Sequence, residues 1–167
     1  DLVVEAVPEK IELKLDIYRP RTVAAPLPTV VFFHGGGWAL RAKKEGAVLQ
    51  MLPWIQRGWN AVNVEYRPSA VAPAPAALED ARCAVRWIAR NAKQYNVDPD
   101  RIVTSGQSAG GHLALAAAMA PLNAGFDTQC PGTPVKVAAV VNWYGVWDFA
   151  PIYEDAKYPW AITWIAG

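Results

Sequence analysis

The sequence has almost no excess of charge of either sign. Lys and Arg number 16, Asp and Glu 15, and the formal net charge is +1 with no basic cluster along the chain. The electrostatic footprint of a nucleic-acid binder is therefore missing, and no DNA or RNA partner is expected. Long apolar runs are also missing. The longest, around Leu113 to Leu122 and Val135 to Val141, fall short of the roughly 20 residues a helix needs to cross a bilayer. No basic-then-apolar leader opens the chain, so no membrane span is expected and the chain reads as soluble. Cysteine is scarce, at 2 residues, too few to indicate a compartment. Cys83 falls in a helical pattern and Cys130 in a Pro/Gly-rich loop. They are expected as separate thiols, Cys83 packed as a small hydrophobe, with a disulfide as the alternative. A chain that opens on Asp1 rather than Met is either trimmed or processed, so both a cytoplasmic and a secreted location stay open.

What is present describes a packed domain. Of 167 residues, 53% are hydrophobic and 19% charged, with 12 Gly and 14 Pro, a composition that builds a core rather than a disordered chain. A chain of this length buries roughly 70% of its unfolded surface, so residues 1–167 are expected to form one domain. The eight tryptophans belong mostly in its core, with Trp38, Trp143 and Trp147 the ones expected near a site.

Ile11, Leu13, Leu15 and Ile17 alternate with Glu12, Lys14, Asp16 and Tyr18, the period of a strand with one wet face. Paired with Leu2 to Val4 it makes an opening antiparallel hairpin. Thr29 to Phe33 and Val137 to Val141 are apolar on both faces, as parallel strands covered by helices on each side are. Ala61 to Tyr66 and Arg101 to Ser105 supply two more strands. Helical patterns lie between them: Val48, Met51, Leu52 and Ile55; then Leu78, Ala81, Val85 and Ile88; then the Ala-rich run Ala109 to Ala120. Strand and helix alternate from Thr29 to Trp143, which predicts right-handed crossovers and a mostly parallel α/β sheet.

Two motifs sit at strand ends. Gly106-Gln107-Ser108-Ala109-Gly110 places GxSxG between a strand and a helix, the setting of a nucleophile elbow. A serine turned sharply out of a strand occupies strained backbone, and glycines on either side remove Cβ atoms that would collide there. An ordinary Gly-rich helix start is the plain alternative. His34-Gly35-Gly36-Gly37-Trp38 follows a buried strand and matches the HGGG pattern that supplies oxyanion-hole donors. A phosphate-cradling loop would want Gly-Lys-Ser/Thr or GxGxxG, and neither is present.

HGGGW, then GQSAGGHLA, then Val141-Asn142-Trp143-Tyr144-Gly145 together resemble the α/β-hydrolase family, in its hormone-sensitive-lipase-like and bacterial carboxylesterase branches. The resemblance implies a three-layer α/β-hydrolase sandwich whose mostly parallel sheet opens with an antiparallel hairpin. It also implies that Ser108 is the nucleophile, that Gly36, Gly37 and the Ala109 N–H form the oxyanion hole, and that Trp38 walls an acyl pocket. The implied reaction is hydrolysis of a small-molecule ester through a serine acyl-enzyme, with no metal and no organic cofactor.

In that family acid and base follow the serine along the chain. Here the 2 histidines are His34 and His112, and both precede the place where the base would come. Asp127, Asp148, Glu154 and Asp155 follow Ser108, but the chain is expected to end before the strands that carry acid and base. His112, one helical turn after the serine, is expected to be packed rather than catalytic. His34 is expected to brace the glycine loop, and Asp148 to line a substrate mouth or to cap a helix. Three readings follow: a serine carboxylesterase represented in part, a catalytically silent binding module, and an assembly that takes its base from another chain. The apolar strand Val135 to Trp143, lacking further strands beside it, predicts a homo-oligomer, a complementing C-terminal chain, or a tail folded over the edge.

Overall fold

A computed structural model of the chain describes residues 2–8, 14–21, 25–40, 44–127, 129–130, 132–154 and 158–166. Six strands, β1 (Leu2–Pro8), β2 (Lys14–Pro20), β3 (Leu27–Phe33), β4 (Asn60–Glu65), β5 (Val97–Gln107) and β6 (Ala139–Trp143), form one sheet in the order β1-β2-β4-β3-β5-β6. β1 and β2 pair antiparallel, as do β2 and β4, whereas β4, β3, β5 and β6 run parallel. The expected hairpin is therefore present. Its connecting residues, including Ile11, Glu12 and Leu13, lie outside the described residues.

The parallel strands require crossovers, and helices supply them: α1 (Lys44–Ile55), α2 (Ala76–Arg90) and α3 (Ala109–Met119). The period of two in β3 splits its side chains between two clusters. Val31 and Phe33 join a core under α2 and α3 with Ala81, Val85, Ile88 and Leu113. Val30 and Phe32 join a second with Ala47 and Met51 of α1. Both faces of the strand are thus dry, which is why it reads as a continuous apolar run. Two short helices, α4 (Ala150–Glu154) and α5 (Pro159–Ala166), close the described chain. No helix among the described residues is long and apolar enough to cross a membrane.

Three expectations need correction. The polar face of β2 is not wet throughout: Lys14 is exposed, but Asp16 and Tyr18 are buried. β2 lies between β1 and β4, and Tyr18 packs in the α1 cluster. β6 begins at Ala139 rather than Val137 and stands at the sheet edge, with Ala139, Asn142 and Trp143 exposed, so it is not covered on both faces. Of the three outcomes expected for that edge, a tail folded over it is not seen among the described residues, where α5 folds back so that the Ala74 N–H donates to the Trp164 carbonyl at 2.9 Å.

Cys83 and Cys130 are not separate thiols but a disulfide. The sequence pattern did not reveal what brings them together. Arg82 of α2 grips Asp127 through two hydrogen bonds of 2.6 and 2.8 Å, and Arg86, one turn on, adds an ion pair to Asp127 at 2.8 Å. Arg86 also donates to the Cys130 carbonyl at 2.6 Å. These arginines hold the Asp127 carboxyl below the usual aspartate range, chiefly by the Arg82 hydrogen bonds, and seat the loop after α3 against α2. Cys83 then faces Cys130.

The disulfide spans a sequence separation of 47, and cross-linking a loop of that size removes enough unfolded-state entropy to contribute about 4 kcal/mol. Urea unfolding of the paired Cys83→Ala/Cys130→Ala variant is expected to show a loss of that order relative to the oxidised chain. A loss under about 1 kcal/mol would mean that the arginine clamp alone holds the loop.

Candidate active site

β5 ends at Gln107, α3 begins at Ala109, and Ser108 between them has φ 52° and ψ −122°. For a residue with a Cβ this positive φ costs on the order of 1–3 kcal/mol and persists only where the surroundings enforce it. Here they do. The Ser108 N–H donates to the Trp143 carbonyl at 2.9 Å, and the Ser108 carbonyl accepts the His112 N–H at 3.2 Å. The flanking glycines are dictated by contact: a Cβ on Gly106 would lie 2.6 Å from the Phe33 carbonyl oxygen, and one on Gly110 2.5 Å from the Phe33 carbonyl carbon. The start of α3 is thus laid directly on the end of β3, where the glycine loop begins.

In that loop Gly36, Gly37 and Trp38 all take positive φ, 124°, 59° and 56°. The turn is closed by the Ala39 and Leu40 N–H groups, which donate to the Gly36 carbonyl at 3.1 and 3.0 Å. Among the described residues the N–H groups of Gly36 and Gly37 donate to no protein acceptor, and both residues are half-buried. Unpaired, partly desolvated amides at the rim of a site are what an incoming oxyanion requires. His34 anchors the loop from beneath. Its ring stacks on Tyr66 with centroids 4.4 Å apart, its Nδ1 donates to the Gly35 carbonyl at 2.7 Å, and the Tyr66 hydroxyl donates to the His34 carbonyl at 2.8 Å. Burial, the dominant influence, lowers the His34 pKa and raises that of Tyr66. The bracing role expected of His34 is what its contacts describe.

The remaining candidates fall into place around an aromatic cluster. Trp38 is fully buried and stacks on Trp164 at 4.3 Å between centroids. His112 meets Trp38, Phe149 and Trp164 edge-on at 5.5, 4.8 and 5.4 Å. Its Nδ1 is buried without a hydrogen-bond partner, and burial depresses its pKa from 6.5 to about 4. His112 is thus packed in a cage, and among the described residues no hydrogen bond joins the Ser108 hydroxyl to either histidine ring. Among the described residues the acids that follow Ser108 make no hydrogen bond to it or to either histidine ring. Asp127 serves the arginine clamp, Asp148 accepts the Ala150 N–H at 3.0 Å and caps α4, and Glu154 is exposed. Asp155 lies outside the described residues. Trp143 contributes its carbonyl to the elbow, while Trp147 is 81% exposed. Sequence reasoning missed Tyr66 and Trp164, whose roles depend on contacts across the fold and leave no local pattern. Among the described residues no group of three His, Cys, Asp or Glu side chains is placed to hold a metal ion.

Known proteins are similar to this chain in sequence and fold. The BD-FAE family model matches residues 15–165. The probable carboxylic ester hydrolase LipM of Mycobacterium tuberculosis is 33% identical over 147 residues, which are 87% of this chain and 34% of that protein. The versiconal hemiacetal acetate esterase of Dothistroma septosporum is 36% identical over 146 residues, 87% of this chain and 44% of that one. Among solved structures, Thermogutta terrifontis esterase 2 phosphorylated by paraoxon superposes with a TM-score of 0.75 at 28% identity, over 87% of this chain and 57% of that one. The chain therefore spans about a third to just over half the length of these relatives. On the match across its own length, the chain belongs to the BD-FAE family and has the fold of the α/β hydrolases.

Proposed function

We propose that this chain supplies the nucleophile and the oxyanion hole of a serine carboxylesterase that acts on small-molecule esters. One observation carries the reading: Ser108 is held at positive φ on a helix start pressed against the end of β3, beside a loop whose Gly36 and Gly37 amides are unpaired. The relatives named above as ester hydrolases support it.

In the proposed reaction the Ser108 Oγ attacks the ester carbonyl carbon and its proton passes to a base. The carbonyl oxygen becomes an oxyanion that accepts from the N–H groups of Gly36, Gly37 and Ala109. Collapse expels the alcohol, which takes the proton back, and water then cleaves the acyl-enzyme by the same steps in reverse. Ala109 suits this role because the first amides of a helix have no partner within it. Trp38, expected to wall an acyl pocket, is instead fully buried against Trp164 and presents no surface to a substrate. In this reading the base comes from neither His34 nor His112, whose rings make no hydrogen bond to the Ser108 hydroxyl among the described residues, but from further polypeptide or a partner chain. The exposed edge of β6, with Trp143 and Tyr144 53% and 74% exposed, is where such a piece, or a second copy, would pair.

A fluorophosphonate probe followed by mass spectrometry is expected to mark Ser108 slowly in the chain alone, where the oxyanion donors act without a base, to mark nothing in Ser108→Ala, and to mark His112→Phe at the same slow rate. Absence of a Ser108 adduct would favour a silent binding module. Against an activated aryl ester the chain alone is expected to reach only about 10³ to 10⁴ over water, the residue of catalysis that an oxyanion hole gives without a triad. Full esterase rates that collapse in His112→Phe would instead make His112 the base.

The buried state of His112 also has a sign that can be checked. With its folded pKa near 4 against 6.5 unfolded, the ring is neutral in both states above pH 6.5 and its packing stability is fully present there. Between pH 6.5 and 4 the unfolded chain binds a proton that the folded chain refuses, so stability falls, on the order of 3 kcal/mol in all. Thermal unfolding of His112→Phe is expected to show a much flatter slope across that window; an unchanged slope would place His112 in solvent.

A further inference from the structure

The residue between the first glycine and the serine of the elbow is Gln107, and its side chain does more than fill space. Its Oε1 accepts from Gln50 Nε2 of α1 and from the Tyr144 hydroxyl, the latter at 2.9 Å. Its Cγ and Nε2 lie 3.2 and 3.3 Å from where a Cβ on Gly35 would stand, so it lies against the glycine loop. Tyr144 is itself unusual, a bulky residue at φ 45° just after β6, the kind of backbone strain that the surroundings must enforce. Gln50, Pro53, Gln107, Trp143 and Tyr144 together line a cavity of about 200 Å³ between α1 and the ends of β5 and β6.

Gly35 is thus held between two supports: His34 and Tyr66 from below, and Gln107 from the side of α1. The lower support is an aromatic stack, tolerant of sliding. Gln107 is different, because it is bonded covalently to Ser108 and hydrogen-bonded to two further elements. Any displacement of α1 or of the end of β6 is transmitted by the same amide to the serine and to Gly35. We infer that Gln107 is a positioning residue that fixes the spacing between the Ser108 hydroxyl and the Gly36 and Gly37 amides. It does so by anchoring the elbow to Gln50 and Tyr144 while bearing on Gly35. This rests on the esterase reading for its consequence but not for its structural content. Oxyanion donors act only when held close to their productive geometry, so a prop one residue from the nucleophile bears on turnover more than on substrate binding.

Hydrogen exchange on the full chain tests it, read at the Ala39 and Leu40 amides that bond to the Gly36 carbonyl. In Gln107→Leu, which removes the acceptor, these amides are expected to exchange about tenfold faster, the effect of losing one or two hydrogen bonds. In Gln107→Glu, whose carboxylate still accepts from Gln50 and Tyr144, the native rate is expected to return. Tyr144→Phe should fall between. In parallel, the maximal rate of phosphonylation at Ser108 is expected to drop about tenfold in Gln107→Leu, with the probe's binding constant unchanged. Native exchange in Gln107→Leu, equal acceleration in Gln107→Glu, or acceleration spread equally through β4 would each overturn the inference. If the unaltered chain forms no Ser108 adduct, the esterase reading fails alone, and the exchange rates still decide the role of Gln107.

Discussion

The structure turns on a backbone contact that leaves no room for a side chain. At the start of α3, Gly110 lies against the Phe33 and His34 carbonyls, and Gly106 lies against both Phe33 and Gly110. The helix can therefore begin only if β5 turns abruptly, and that turn is Ser108 at φ 52°. The same contact fixes the end of β3, from which the glycine loop departs. Elbow and loop are held together first by this main-chain contact, and the Gln107 side chain props the loop from the side of α1.

Strain at such a site must be offset elsewhere, and the surrounding packing does this. β3 is dry on both faces, and Leu113 of α3 is fully buried in the core that β3 shares with α2. The arginine clamp and the disulfide hold the chain that leaves α3. Gly110 and Gly111 each weaken a helix by roughly 1 kcal/mol relative to alanine, a cost that core burial of this extent exceeds. The two histidines are drawn into this packing. His34 is committed to Tyr66 and the Gly35 carbonyl, and His112 to an aromatic cage that favours its neutral ring.

The elbow and the glycine loop were legible in the sequence because sterics leave a local mark: a residue pressed against backbone must be glycine, and it stands at a fixed offset from the serine. The three-layer arrangement was legible because Val30 to Phe33 of β3 form an unbroken apolar run while α2 carries one apolar face. Contacts made between distant segments left no such mark. Cys83 and Cys130 are 47 residues apart, and only the Arg82 and Arg86 grip on Asp127 explains their meeting. Tyr18 sits at a position that alternation assigns to solvent, yet the strand order buries it under α1. Val137 carries a strand-like residue type but lies before β6 begins, because side-chain type alone does not set where pairing with β5 starts. The stacking of Trp164 on Trp38 depends on the path of the tail, which no periodicity encodes.

The central claim is that Ser108 and the amides of Gly36, Gly37 and Ala109 form one reaction centre. A crystal structure of the chain carrying a phosphonyl group on Ser108 tests it most directly, since the phosphonyl oxygen occupies the place of the oxyanion. The account predicts that oxygen at about 2.7–3.1 Å from these backbone nitrogens, with the elbow and glycine loop unmoved. A phosphonyl oxygen turned to solvent, or a loop whose glycine amides face away from it, would contradict the account.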